Sequence, residues 1–422
     1  MRRIITVIAA AATAIAAIAA IAAVPDTRTA IYHPGFRTLR VHQLGNVLAP
    51  PVIELGSLER VLISFDEMAT EMRYMRYRLI HCDANWNPSQ LVEAEYLDGF
   101  NEARIDDYAY SQATLVNYVN YQFTVPNEDM RILVSGNYLV QVYDEDHPEE
   151  TLLQARFYAT ERLIDIGTSI TSRTDIDYND AHQQLAVSVT PHDNKLQGWT
   201  NDITLRIMQN MRDDSEVLLA RPTLIESDRA TYEHQRELIF PAGNEFRRFE
   251  VVETYYPGMH VEHVGYVEPF YHATLYPDRS RAEESYLYDQ TQFGRFVVRQ
   301  SGVNDSDFEA DYVAVHFTLE HEPMTGGELY VTGQWTQPEF NERNRMHWDE
   351  LTGTYQADIM MKMGSYNYQY LWLPAGSVRA YTAPIEGDKY ETVNEYFVRI
   401  YYRPPGARYD RLAGTALAYS HQ

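Results

Sequence analysis

Apolar and polar residues alternate with a period of two along most of this chain. In segment 119–125, valine and aromatic residues occupy every second position, with asparagine, glutamine and threonine between them. This alternation of β-branched and aromatic residues with polar ones predicts half-buried antiparallel strands. Other clear examples lie at 185–189, 203–207, 313–319 and 366–372.

Helical patterns are scarce by comparison. The best candidates are a short turn within 88–95 and a helix at 276–288. Turn-forming residues punctuate the chain about every 8 to 15 residues, as at 144–148 and 256–258. That spacing favours an all-β chain built from antiparallel β-sandwiches.

The chain divides at several soft boundaries. Segments 138–142 and 152–158 predict a hairpin that closes the first domain, and the polar run 301–307 is typical of a linker. Pro404 is predicted to end the last strand, because proline cannot donate a hydrogen bond to a neighbouring strand. The predicted units are a signal peptide at 1–22, an N-terminal β-sandwich at 31–160, a second β domain at 161–300 and a C-terminal β-sandwich at 310–403.

The N-terminus has the pattern of an export signal. Arg2 and Arg3 precede an unbroken apolar stretch at 4–24, and Ala-Ile-Ala at 20–22 fits a cleavage site. The alternative is an uncleaved membrane anchor, since the apolar stretch is long enough to span a bilayer. In both cases the remaining chain leaves the cytoplasm, and it has no second apolar stretch of about 18 residues that would insert into a membrane.

Charge and composition narrow the function. The 422 residues include 60 Asp and Glu against 35 Lys and Arg, a formal net charge of −25. Such acidity argues against nucleic acid or anionic lipid as a partner, because both require a basic surface. A single cysteine excludes an internal disulfide. The 33 tyrosines are typical of half-buried sheet surfaces and of partner interfaces.

The nearest approach to a catalytic site is His81 beside Cys82. A nucleophilic cysteine needs a base within hydrogen-bond reach. Adjacent residues of a strand point to opposite faces of the sheet, so His81 is poorly placed to activate Cys82. We therefore predict no catalytic residues and a non-enzymatic protein.

Two groups of potential metal ligands occur, and neither has the spacing of a known metal motif. The histidine group lacks the H-E-x-x-H arrangement. The acidic group lacks the glycine and closing glutamate of an EF-hand loop, although it leaves calcium binding open. We expect no metal or cofactor. The histidine group is His260, His263 and His272 with Glu262, and the acidic group is Asp175, Asp177 and Asp180.

The C-terminal third carries a recognisable pattern in four segments, 328–335, 344–348, 353–357 and 362–370. In its Gly and Trp positions and its Tyr-x-Tyr-x-Tyr strand it resembles the early-set immunoglobulin-like sandwiches, which include glycogen- and starch-binding modules. The resemblance implies tandem immunoglobulin-like domains. It also leaves open a sugar-binding platform formed by Trp335, Trp348 and Trp372.

The first domain carries a more specific run of motifs. The run is Leu-Ile-Ser-Phe-Asp at 62–66, Tyr-Arg-Leu-Ile-His-Cys-Asp at 77–83, Trp-Asn-Pro-Ser at 86–89, Glu-Tyr-Leu-Asp-Gly-Phe at 95–100 and Ser-Gly-Asn-Tyr-Leu at 135–139. In order and spacing it resembles the Plug proteins of the type IX secretion system of Bacteroidetes, and the likeness extends over essentially the whole mature chain. The conspicuous positions, which either specify the fold or contact a partner, are Asp66, His81, Cys82, Trp86, Tyr96, Gly99, Tyr108, Ser135, Gly136 and Asn137.

The resemblance implies a periplasmic protein that seals the periplasmic mouth of the outer-membrane translocon when no substrate is in transit. Its expected partner is the translocon barrel, and it is otherwise expected to be a monomer. The alternative function is a polysaccharide-binding or surface adhesin module.

Overall fold

The computed structural model describes residues 26–192, 196, 198–337 and 339–421. The predicted signal peptide at 1–22 lies outside these residues. Across the described part of the chain the structure is nearly all β and mostly antiparallel, which confirms the predicted fold class. All five alternating segments lie within strands. Within the described ranges, no helix is both long enough and apolar enough to cross a bilayer.

The N-terminal part forms two large sheets and a small two-stranded sheet in which 97–99 pairs with 130–132. The predicted hairpin at 138–142 and 152–158 is confirmed, since these segments pair antiparallel with Tyr138 opposite Phe157. The elements are β1 (Ala30–Ile31), β2 (Phe36–Gln43), β3 (Val52–Glu54), β4 (Val61–Glu67), β5 (Met75–Cys82), α1 (Glu93–Tyr96), β6 (Leu97–Gly99), β7 (Ala103–Arg104), β8 (Asp107–Tyr110), β9 (Val119–Val125), β10 (Met130–Ile132), β11 (Gly136–Asp144) and β12 (His147–Thr160).

The two large sheets pack face to face as the N-terminal sandwich. One has the order β1-β12-β11-β5-β7, with β3 beside β12, and the other has the order β2-β4-β9-β8. Leu79, Val140 and Phe157 from the first sheet share a buried core with Phe65 and Tyr121 from the second. The period-two pattern therefore directs one face of each sheet inward.

The middle and C-terminal parts contain the remaining elements. Single turns of 3-10 helix lie at Trp199–Asn201, Asp213–Ser215, Arg236–Leu238 and Gln334–Thr336. The middle strands are β13 (Ile164–Thr171), β14 (His182–Pro191), β15 (Ile203–Gln209), β16 (Val217–Leu219), β17 (Leu224–Ile225), β18 (Ala230–Tyr232) and β19 (Ile239–Pro241).

The C-terminal elements follow in chain order. They are β20 (Arg247–Val251), β21 (Val261–Val267), β22 (Phe270–Leu275), β23 (Asp278–Arg279), β24 (Phe296–Val298), α2 (Ser306–Glu309), β25 (Tyr312–Glu320), β26 (Gly327–Thr332), β27 (His347–Asp349), β28 (Thr354–Lys362), β29 (Gly364–Pro374), β30 (Glu395–Tyr402) and β31 (Arg411–Tyr419).

The sheets cut across the predicted ranges 161–300 and 310–403. One sheet has the order β16-β15-β30-β31, so strands from the end of the chain complete the middle sandwich, together with the sheet β13-β14-β18-β17. The C-terminal sandwich combines β20-β29-β24 with β21-β22-β25-β28-β27. Each sandwich has its own buried core. We use the names N-terminal, middle and C-terminal sandwich for these three units.

Two local predictions are wrong. Segment 276–288 contains no helix; its only regular element is β23, where the buried Asp278 accepts a hydrogen bond from the hydroxyl of Tyr368 at 2.7 Å. Pro404 also does not end the last strand. Strand β30 ends at Tyr402 as expected, but the chain then turns back and adds β31 beside it.

Strand β31 offers a direct test of this pairing. Leu412 is fully buried, with 0% of its surface exposed, between the middle and N-terminal sandwiches, whereas Leu417 on the same strand is 37% exposed. We expect Leu412→Ala to lower the free energy of unfolding by about 2–5 kcal/mol, because it leaves a cavity. The control Leu417→Ala should change it by less than about 1 kcal/mol. Equal effects in urea unfolding would contradict the observed position of β31.

Candidate functional site

A buried ion pair lies where the N-terminal and C-terminal sandwiches meet. The carboxylate of Asp66, at the end of β4, accepts hydrogen bonds from Lys362 Nζ at 2.7 Å, the Tyr312 hydroxyl at 2.6 Å and Asn120 Nδ2 at 2.7 Å. Asp66 and Lys362 are both almost completely inaccessible. A buried charge persists only when it is paired, so each sandwich here supplies the partner that the other needs.

Lys362 is enclosed on its other sides as well. Its ammonium group donates to the carbonyl of Asp307 at 2.6 Å and lies 4.2 Å from the centre of the Tyr118 ring. Burial lowers the pKa of Lys362, and the neighbouring Asp66 carboxylate opposes that shift. Burial likewise raises the pKa of the Tyr312 hydroxyl far above its usual value, so this tyrosine stays a donor.

Backbone groups extend the same junction. The carboxylate of Asp311 accepts hydrogen bonds from the backbone N–H of Leu115 at 2.7 Å and of Val116 at 3.1 Å. The Tyr118 hydroxyl donates to the carbonyl of Ala310 at 2.6 Å. These contacts fix the 111–118 loop of the N-terminal sandwich on the segment that leads into β25.

His81 lies inside the N-terminal sandwich. Its Nδ1 lies 2.8 Å from the Ser89 hydroxyl, and its Nε2 lies 3.2 Å from the carbonyl of Ser135. Its ring packs against Tyr96 and Tyr138. Burial lowers the pKa of His81, which favours the neutral imidazole.

Cys82 points to the opposite side of strand β5, as predicted. It packs in an apolar cluster with Leu139 and with Phe397 of the middle sandwich. Burial raises the pKa of the Cys82 thiol to about 12, so the thiolate needed for nucleophilic attack does not form near neutral pH. The pair therefore packs two adjacent layers of the protein and does not act as a nucleophile and base.

The motif residues that follow join the N-terminal sandwich to the middle sandwich. The side-chain oxygen of Asn137 accepts a hydrogen bond from the Tyr401 hydroxyl at 2.6 Å, and its amide donates to the carbonyl of Asp83 at 2.9 Å. The Trp86 side chain packs in one apolar cluster with Phe397 and Tyr401 of the middle sandwich. The Ser135 hydroxyl donates to Glu161 at 2.5 Å, next to the ion pair between Glu161 and Arg411.

A second group of buried charges reinforces this junction. The fully buried Arg399 donates to the Tyr158 hydroxyl at 2.9 Å and pairs with Glu216, which also pairs with Arg206. Burial opposes ionisation of Glu216, but Arg399 and Arg206 outweigh it and lower the pKa of its carboxyl group. Arg156 pairs with Asp213 across the same boundary at 2.9 Å.

The middle and C-terminal sandwiches are joined in the same way. Arg295 and Glu395 form a buried ion pair at 2.7 Å. Each pair of sandwiches is therefore connected by buried polar groups whose partners lie in different units.

The ten motif positions fall into two groups. Eight are buried, at the junctions or in the N-terminal core, and two are exposed, Gly99 and Tyr108. Gly99 has a φ of +117°, and a side chain there would collide with the carbonyl of Asp129. Tyr108 lies on the edge strand β8. Sequence analysis missed the partners Lys362, Tyr312 and Arg399.

The three tryptophans of the candidate sugar platform contact the core of the C-terminal sandwich. Trp335, Trp348 and Trp372 are half-buried and pack against the C-terminal core, and Trp335 Nε1 donates to the carbonyl of Asn367 at 3.0 Å. These contacts assign the tryptophans a packing role and lend no support to a sugar platform.

Several of the candidate metal ligands already contact other polar side chains. Asp177 lies 2.6 Å from His182 Nδ1, and Asp175 accepts a hydrogen bond from Gln184 at 2.6 Å. His260 lies 3.2 Å from Asp278. In the described part of the chain, no group of three or more His, Cys, Asp or Glu side chains is arranged to hold a metal ion.

Comparison with known proteins identifies the N-terminal sandwich. Residues 36–161 match a family model described as the type 9 secretion system plug protein 1st domain. The chain is similar to a hypothetical protein from Parabacteroides merdae whose crystal structure is known. The two sequences are 40% identical, and the structures superpose with a TM-score of 0.91 over 93% of this chain and 99% of that chain.

The other comparisons do not bear on the function of this chain. A DNA-bound alkylpurine DNA glycosylase from Pseudomonas fluorescens is 17% identical over 29% of each chain, with a TM-score of 0.18. No curated protein matches the sequence significantly.

Removal of one partner of the Asp66–Lys362 pair is predicted to destabilise the protein more than removal of both. Asp66→Ala leaves the Lys362 charge buried without its partner, so we expect a loss of about 3–5 kcal/mol in the free energy of unfolding. The double variant Asp66→Ala with Lys362→Met should recover part of that loss, because neither charge remains. The control Asp106→Ala removes an exposed carboxylate and should cost less than about 1 kcal/mol. A double variant with a lower free energy of unfolding than Asp66→Ala alone would contradict this interpretation.

Gly136 predicts a separate steric effect. Its φ is +145°, and an added Cβ would lie 2.4 Å from His81 Nε2. Gly136→Ala should therefore cost about 1–3 kcal/mol from the backbone alone, and more from displacement of the imidazole. Gly45→Ala is the matched control, since Gly45 also has a positive φ but open space around it. Equal losses in urea unfolding would show that contact with His81 is unimportant.

Proposed function

Because the chain belongs to the type 9 secretion system plug protein family and so takes part in type IX secretion, we propose that it seals the periplasmic mouth of the outer-membrane translocon when no substrate is in transit. In this role it blocks a channel by its bulk and catalyses no reaction. The proposed partner is the translocon barrel, and the protein is otherwise monomeric. The observation that carries the proposal, beyond the family match, is the joining of three sandwiches by buried cross-junction charges.

A body that obstructs a channel must resist deformation. Domain motions require interfaces that can slide or open at small cost. Sliding or partial opening at these junctions would leave charges such as Asp66 with Lys362 and Arg295 with Glu395 still buried but without their partners. The structure therefore favours a single rigid body, which suits steric occlusion.

Reversible seating needs a surface that is not strongly adhesive. The net charge of −25 limits self-association. Exposed tyrosines, among them Tyr255, Tyr256 and Tyr288, offer contact area with one polar end, which suits a modest interface that forms and releases. These features support a transient contact with the translocon.

The proposed location is the periplasm, at the inner face of the outer membrane. The Arg2 and Arg3 pair with the apolar stretch at 4–24 supports export. The acidic composition supports a protein partner and disfavours nucleic acid or anionic lipid. The protein is then held at the membrane by the translocon, without inserting into the bilayer.

Deletion of the gene tests the sealing role. We expect the outer membrane of the deletion strain to admit large hydrophilic solutes, measured as increased sensitivity to a glycopeptide antibiotic, and we expect the wild-type gene to restore the barrier. The protein should also co-purify with the translocon from detergent-solubilised envelopes. Unchanged permeability together with failure to co-purify would contradict the proposal.

Complementation with variants links sealing to the rigid junction. At matched protein abundance, Asp66→Ala should restore the barrier less completely than the control Asp106→Ala. If both variants seal as well as the wild type although Asp66→Ala is destabilised, rigidity at this junction is not what sealing requires.

A further inference from the structure

Three polar side chains line up across the outer face of the C-terminal sandwich. His272 lies on β22, His316 on β25 and Asp358 on β28, three adjacent strands of one sheet. His316 is directly opposite Asp358, and its other neighbour, Thr274, is two residues from His272 on the same face. The core-facing residues Val315, Phe317 and Ala273 alternate with these positions, so the three polar groups point away from the core.

The three side chains form a continuous hydrogen-bonded row. His272 Nδ1 lies 2.8 Å from His316 Nε2, and His316 Nδ1 lies 2.6 Å from a carboxylate oxygen of Asp358. The carboxylate accepts the Nδ1 proton of His316, which leaves a lone pair on Nε2. An imidazole held in this tautomer by a carboxylate is the arrangement that supports metal ligation in many proteins.

The row is open to solvent. The side chain of His316 is 29% exposed and that of Asp358 is 74% exposed. Gly265 lies opposite His272 on β21 and contributes no side chain, and the His263 imidazole occupies the space over Gly265. An ion can therefore approach the pair of imidazoles, and a third imidazole lies on the adjoining strand.

From this geometry we infer that His272 and His316 form a binding site for a divalent transition-metal ion, with Cu²⁺ preferred. Cu²⁺ is preferred because it binds nitrogen ligands more tightly than the other divalent first-row ions.

Binding breaks the hydrogen bond between the two rings, and it requires a proton shift and rotation of both rings. The Nδ1 proton of His272, which is donated to His316 in the metal-free protein, moves through solvent to Nε2 of the same ring. Both lone pairs then point to the ion, and no electron is transferred. Because no three suitable side chains in the described ranges enclose a metal, water completes the coordination and the site is open.

Titration of the tag-free mature protein with Cu²⁺, followed by calorimetry and electron paramagnetic resonance, tests this site. We expect one site with two nitrogen ligands in the wild type. His272→Gln and His316→Gln should each weaken binding by about 100-fold, and Asp358→Asn by about tenfold, because it removes only the orienting carboxylate. The matched control is His347→Gln, which removes an exposed histidine from β27 of the same sheet and should change nothing.

A stability measurement separates ligand loss from misfolding. Cu²⁺ should raise the Tm of the wild type and of His347→Gln, because the ion connects β22 to β25. It should not raise the Tm of either ligand variant, whose metal-free Tm should equal that of the wild type. Unchanged Cu²⁺ affinity and nitrogen coordination in both ligand variants would overturn the proposal, as would zinc binding as tight as copper binding in the wild type.

Discussion

The structure depends on one constraint: a charge removed from water must have a partner, and at the junctions of this protein that partner belongs to another sandwich. Asp66 is paired with Lys362, and Arg295 is paired with Glu395. The three sandwiches therefore do not move independently of one another. Sliding or partly opening a junction would leave a buried charge without its partner, and that cost is larger than the gain from most single surface contacts.

The strands could be predicted from the sequence because their signal is local. The alternation at 119–125 and 313–319 needs only neighbouring residues, and both segments are strands. Pairing between distant strands leaves no such signal. Nothing near 203–209 indicates that its partner is 395–402, so boundaries drawn at linkers could not reveal the composition of the middle sandwich. The missing helix at 276–288 has a similar cause, because burial of Asp278 by distant residues overrides local periodicity.

The candidate site was predictable in part. The motif run located Asp66, His81 and Asn137 but not what they contact, because Lys362 and Tyr401 lie more than 250 residues away in sequence. One signal was present: Lys362 and Arg399 each interrupt an apolar strand, and a charge in that position needs a buried partner. Most motif residues turn out to join or pack the sandwiches. A surface that contacts a partner must therefore be sought among exposed residues, which a fold-specifying motif does not mark.

Distance measurements between spin labels test most directly whether the three sandwiches move as one body. Leu58, Ile176 and Leu351 are exposed and lie in the N-terminal, middle and C-terminal sandwiches, while the native Cys82 is buried and should not be labelled. Pairs of labels introduced by cysteine substitution at these positions should give single, narrow distance distributions by pulsed electron paramagnetic resonance. Broad or multiple distance distributions between sandwiches, in a protein whose individual units remain folded, would show that the sandwiches move relative to one another.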